Sequence, residues 1–306
     1  MEAEAIIDIE GQLTIEIPEL TKTMYMPLQL HYCNEQQYIA ICELLFRLDT
    51  GDLTLEEFKI LAVYGLLNLK KGERKLEVDQ TEEALDNIRI ISEYIMEYFE
   101  ETEEGKFILK LSYQKNHITK TKPLIKTYWG PKDHFTSTTF GEYEEALNLF
   151  MEYSESKDLE ILRRLFAIFY REQTNHKQQP YIAEDLDQHI KHFEKTPIGV
   201  LYGFYYTFAA FHTYFTSSEV YWEGKRIDMS IIFTEQEEDQ GEDKTESPYP
   251  SLGMKSIAYQ LAESGVFGSL QQVRNTNLWE AALRLYDIRK RDLDHKAAQK
   301  AASKTT

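Results

Sequence analysis

The chain has 306 residues, 42% of them hydrophobic and 28% charged, a composition that excludes a wholly disordered protein and gives room for two or three modules. The formal net charge of -18 repels nucleic acid and anionic membrane over most of the surface, which excludes a general DNA-coating role and favours basic or apolar partners. Cys33 and Cys42 fit neither a CxxC redox pair nor a four-ligand zinc framework and read as two buried small hydrophobes. The stretch from Met1 lacks the basic region and apolar core of a secretory signal, so the expected compartment is the cytoplasm.

Residues 5–17 alternate Ile7 and Ile9, then Leu13, Ile15 and Ile17, with polar neighbours around Glu10 and Gly11. This is the period of a hairpin with one buried face, which Pro18 ends. Asn34 and Gln37 have capping-box spacing for a helix striped by Tyr38, Ile41, Leu45 and Leu48 and closing near Gly51. Thr54 and Glu57 repeat the signal for a second helix, with Phe58, Leu61, Ala62 and Leu66 inward. The stretch between them invites a calcium reading. Aligning Gly51 and Glu57 with the fixed glycine and final glutamate of an EF-hand puts Phe46, Leu48 and Thr50 at the first three ligand positions, so that reading fails. A third helix over 81–99 carries Leu85, Ile88, Ser92, Ile95 and Phe99, and the three predict an antiparallel bundle.

Residues 107–113 and 118–128 read as a second hairpin, followed by a turn at Gly130 and Pro131. Thr139 with Glu142 caps a helix bearing Tyr143, Leu147, Phe150 and Met151. Ser156 opens another with Leu159, Leu162, Phe166 and Phe169, and the two are expected to pack through a short loop. After a polar loop at 175–183 and a short helix at 185–194 comes an apolar helix, 197–215, with no formally charged residue and with Gly199 and Gly203 in GxxxG spacing. Its Phe, Tyr, Thr and His are spread along its whole length instead of belted at the ends. A buried core helix whose glycines admit a close neighbour is therefore expected, with no membrane contact. Residues 220–233, broken at Glu223 and Gly224, read as a third hairpin. The run 235–246, with seven acidic residues against one lysine, reads as a mobile linker.

Asp185, His189 and His192 fall at i, i+4 and i+7 on one helix face, a spacing that can hold a transition metal, and His176 and His212 could complete such a site. Leu186, Ile190 and Phe193 form a parallel stripe one position over, however, which assigns the polar trio to the solvated side and predicts no metal. No phosphate-binding glycine loop, HExxH or GxSxG occurs, and neither cysteine has the context of an activated nucleophile. No enzyme and no cofactor are expected.

The C-terminus reads as a helix over 254–264, a stop at Gly265, a brief segment closed by Val273, and a last helix capped by Asn277 with Glu280, fraying after Ala297. Leu278, Ala282 and Leu285 alternate with Trp279, Leu283 and Tyr286 as a wide apolar face, the expected partner-binding surface. A helix-turn-helix regulator has this size too, but Trp279, Glu280, Ala281 and Ala282 stand where base-reading Arg, Gln or Asn would be needed, so no nucleic acid is expected. The expected fold is mainly α: antiparallel helical bundles with minor β-hairpins and a separate C-terminal helical module. Its divisions are 1–125, 126–234, an acidic linker at 235–251, and 252–306.

With SIAYQLAESGVFGS at 256–269 and NLWEAALRLY at 277–286, the C-terminus resembles the small helical module of tail assembly chaperones of long-tailed phages. TYWGPKD at 127–133, TFGEYEEA at 139–146 and LFAIFYR at 165–171 resemble tail-region proteins of phages and prophages of Bacteroidetes-type hosts. The resemblance implies a helical, non-enzymatic assembly factor in the host cell cytoplasm that binds the coiled-coil tape measure or another structural protein, with homo-oligomers as a further expectation. The long N-terminal part and the hairpins depart from that family. They leave open a structural component of the phage particle, beside a DNA-binding regulator.

Overall fold

Three capping boxes set the helical frame. Asn34 Oδ1 accepts from the Gln37 amide and Gln37 Oε1 from the Asn34 amide, each at 3.0 Å, which starts α1 (Glu35–Asp49). Thr54 with Glu57 starts α2 (Leu55–Leu66) in the same way, and α3 (Val78–Glu93) follows, tightening into a 3-10 turn at Tyr94–Tyr98. The computed structural model describes residues 4–7, 12–17, 22–69, 78–233 and 253–303. Later helices are α4 (Phe140–Ser156), α5 (Leu159–Phe169), α6 (Leu186–His189), α7 (Ile198–Ser217), α8 (Ser230–Phe233), α9 (Met254–Glu263), α10 (Leu270–Asn275) and α11 (Leu278–Ser303). Helices dominate the described residues, and the strands form small antiparallel sheets, a mainly α fold.

The chain divides into two compact units, Met1–Tyr128 with Gln188–Ala210, and Trp129–Asp187 with Phe211–Thr306. The first boundary lies close to the expected one at 125. The return of 188–210 to the first unit, and the joining of the C-terminal segment to the second, differ from the expected division. The acidic run at 235–246 lies outside the described residues.

In the first unit the expected N-terminal hairpin gains a strand. Strands β1 (Glu4–Ile7), β2 (Gln12–Ile17) and β3 (Lys22–Pro27) form one antiparallel sheet in which Leu13 faces Met26, and these two are buried with Ile15. Helix α1 buries Tyr38, Ile41, Cys42 and Leu45; α2 buries Phe58, Ala62, Val63 and Leu66. Gln37 Nε2 donates to the Leu66 carbonyl at 2.6 Å, joining the two helices. Lys59, buried on α2, reaches Glu93 of α3 at 2.7 Å and Glu56 at 3.0 Å. Burial pulls its pKa down, but the two carboxylates outweigh that and raise it. The expected second hairpin is re-paired: Phe107–Leu109 joins Phe99–Glu101. Tight apposition of α7 on α1 explains why 188–210 belongs here. A Cβ on Gly199 would stand 2.5 Å from the Ile39 carbonyl oxygen, and one on Gly203 2.9 Å from Ile118 and 3.1 Å from Tyr38. Tyr38 donates to the Gly203 carbonyl at 2.8 Å and Tyr202 to Asp49 at 2.9 Å. Both cysteines are buried thiols, and burial pushes Cys33 up to about 12.

In the second unit Thr139 and Glu142 cap α4, Lys157 closes it in the left-handed region (φ 55°), and Asp158, not Ser156, caps α5 through the Glu160 amide at 2.8 Å. Of the expected α4 stripe, Tyr143 is fully buried whereas Met151 is 55% exposed. The packed face is rotated toward Phe140, Ala146 and Tyr153. Glu219–Trp222 pairs with Lys225–Asp228 across Glu223 and Gly224, both at positive φ as a two-residue turn of this hand requires. The hairpin thus ends at Asp228, and the last residues of the expected stretch, Ser230–Phe233, form the short helix α8 instead. The aromatic residues of α7 lie in the cores of the two units: Tyr202, Phe204 and Phe208 of the first and Phe211 and Phe215 of the second are all buried. Among the described residues no helix is long and apolar enough to cross a membrane.

Candidate functional site

The predicted partner-binding face of α11 is occupied by its own unit. Leu278, Ala282 and Leu285 are buried, and Trp279, Leu283 and Tyr286 are half-buried. The Trp279 ring meets Phe215 edge-on at 5.2 Å between centroids, with Phe211 and Tyr214 further out, and its indole N–H donates to the His134 carbonyl at 2.8 Å. Backbone bonds stitch the helix start down: the Leu278 amide donates to Thr138 O at 2.9 Å and the Phe140 amide to Thr276 O at 2.8 Å. Asn277 caps α11 through the Trp279 amide and donates from its own amide to Thr136 O. An apolar stripe identifies a buried face but not what buries it, and here the cover is the chain itself.

Past Arg289, whose side chain donates to Ile231 O at 3.2 Å, the helix leaves its packing. Residues 290–299 and 301–303 are exposed, yet they remain helical to Ser303, further than the predicted fraying at Ala297.

The metal trio does not form one helix face. Asp185 ends a 3-10 turn, His189 ends the four-residue α6, and His192 lies in another 3-10 turn, so the α-helical phase is lost. His189 and His192 instead lie against Tyr128, each with its ring centroid at 5.7 Å. Among the described residues no group of three or more His, Cys, Asp or Glu converges as a metal would require.

A cleft of about 700 Å³ opens in the second unit, and sequence reasoning missed it. Arg171 forms its floor. Its backbone pairs with Trp129 in both directions, at 2.8 and 3.1 Å, which fixes the side chain beside the start of α4. There one guanidinium nitrogen donates to Glu142 and the other to Gln178 at 3.3 Å, while Gln178 in turn donates to the carbonyls of Trp129 and Phe169. Glu142 thus serves twice, accepting from the Thr139 amide at 2.7 Å and from Arg171. The pair is enclosed: Arg171 is 8% exposed and Glu142 3%. Gly141 admits α10 on the far wall, since a Cβ there would stand 3.0 Å from the Arg274 carbonyl oxygen. The Tyr181 phenol is held well above its usual range by burial first and the Glu145 carboxylate second.

The hairpin Gln173–Thr174 with Lys177–Gln178 frames one rim. Its turn residues Asn175 and His176 both lie at positive φ, 52° and 62°. A separate dyad in the same unit joins Tyr143 Oη to His212 Nδ1 at 2.6 Å. Burial lowers the imidazole and raises the phenol, so the bond joins an un-ionised phenol to a neutral ring. The only sequence signal for the cleft was Glu142 itself, which the capping pattern already explained. No protein-family model, no curated protein and no solved structure matches the chain.

Proposed function

We propose that this chain is a non-enzymatic assembly factor of a long-tailed phage or prophage, tail assembly chaperone-like, that holds the tape measure or another structural protein while the tail is built. The observation that carries the proposal is the exposed end of α11. A solvated helical stretch of this length is marginal alone, so a partner helix would complete it. Leu293, Ala297 and Ala301 recur at i, i+4 and i+8, a narrow seam suited to a coiled-coil client. Lys290, Arg291, Lys296 and Lys300 outnumber Asp292 and Asp294 in a chain of net charge -18, which sets this stretch apart electrostatically. The proposed grip is therefore the far end of the helix, not the face at 278–286.

The test is co-expression with the long coiled-coil product encoded nearby, using the full chain and a truncation after Arg289. The full chain should keep the client soluble and co-purify with it, and the truncation should lose the client while its thermal unfolding is unchanged. Absence of any complex at low and moderate salt would remove the proposal, and an undiminished complex with the truncation would move the grip elsewhere. Recovery of the chain from purified particles by mass spectrometry would make it a virion component instead.

A further inference from the structure

We infer that the cleft floored by Arg171 is a binding site for a small organic anion bearing phosphate or carboxylate groups. Its volume, about 700 Å³, lies within the range of ligand clefts and is too large for a bare inorganic ion alone. Its lining brings together Lys132, Arg171, Lys177 and Arg274 against Glu142 and Glu184. In a chain with 52 acidic residues and 34 Lys and Arg, a wall with cations in the majority runs against the composition.

The charges are also unevenly committed. Glu142 is already neutralised by Arg171 and bonded to the Thr139 amide, so an incoming anion meets no bare carboxylate on the floor. Arg171, with its two terminal nitrogens engaged, keeps an enclosed Nε–H that has no hydrogen-bond partner. A buried donor in that condition is costly, which marks the floor as a place where the protein leaves positive charge incompletely satisfied. Arg274 is held only loosely, at 3.4 and 3.8 Å from Glu144 and Glu145. Lys132 and Lys177 are exposed at the rim, and among the described residues neither pairs with a carboxylate. Lys177 is carried there by the tight turn at Asn175 and His176. The arrangement combines an anchored, planar guanidinium with two exposed ammonium groups along the same cleft, which suits a multiply charged oxyanion.

The experiment titrates the full chain calorimetrically with pyrophosphate and, separately, with citrate, to tell phosphate from carboxylate chemistry. At least one should bind saturably and weaken as salt is raised. Lys132→Glu with Lys177→Glu should lower that affinity at least tenfold while the melting temperature holds. The control Lys106→Glu with Lys225→Glu makes the same change in net charge away from the cleft and should leave affinity within twofold. No saturable binding of either probe up to millimolar concentration would overturn the inference. An equal loss in the control would do the same, because it would show attraction to overall charge and not to this site.

Discussion

At the scale of single residues, the enclosed Arg171–Glu142 pair and the Tyr143–His212 bond hold the second unit's polar interior. Removing one member of a buried pair strands the other charge. Arg171→Met should therefore cost about 3–5 kcal/mol of stability in urea unfolding, and a loss below 1 kcal/mol would mean that water reaches Glu142 freely. Burial holds the His212 imidazole below its ordinary value of 6.5. Its folded-state value lies under the unfolded one, so its contribution to stability is intact above about pH 6.5 and is lost as the pH falls through and below that point. His212→Gln should flatten that part of the acid limb of the stability profile, and an unchanged limb would assign it to other groups, such as His31, whose pKa burial also lowers. None of these pairings was legible in the sequence. Arg171 and Glu142 stand far apart along the chain, and nothing local to either names the other, whereas the boxes at Asn34, Thr54 and Thr139 were readable because both partners lie within one turn. A fourth box, Ser269 with Gln272 at the start of α10, had the same spacing and went unread.

At the scale of elements, glycines decide which helices meet. The GxxxG spacing of α7 was read as permitting a close neighbour, and the neighbour is α1, a helix far earlier in the chain and not another helix of the expected 126–234 division. Gly199→Ala should destabilise the first unit by about 1–3 kcal/mol, because the contact is with backbone, which cannot rotate aside. The clash at Gly203 is with side-chain tips, so Gly203→Ala should cost less; equal effects, measured by thermal unfolding, would contradict the geometry. Helix stripes told which residues face inward for α1 and α2, where one neighbour covers one face. They failed for α4, whose buried face is rotated by contacts from both α5 and α10 and leaves Met151 outside. Along α11, amide hydrogen exchange should be slow up to Arg289 and fast beyond it in the isolated chain.

At the scale of the whole molecule, the mainly α class and the small hairpins followed from periodicity, but the grouping of elements did not. Periodicity describes the face that an element hides, and it is silent about which of many compatible surfaces does the hiding. Leu278, Ala281 and Ala282 are buried within the second unit, so a fragment ending at residue 234 lacks part of that unit's core. Such a fragment should show a lowered, broadened second unfolding transition beside a first that is unaffected, and two unaltered transitions would restore the picture of a separate C-terminal module. The interleaved assignment of 188–210 and 211 onward also bears on synthesis at the ribosome. Translation runs from the N-terminus, so the first unit cannot close until the early turns of α7 emerge, by which time all of 129–187 has been made without α9, α10 and α11. For that interval Phe140 and Phe215 lack the cover that Thr276 and Trp279 later supply, and slowing elongation after α7 should prolong the exposure and raise the aggregated fraction of nascent chains.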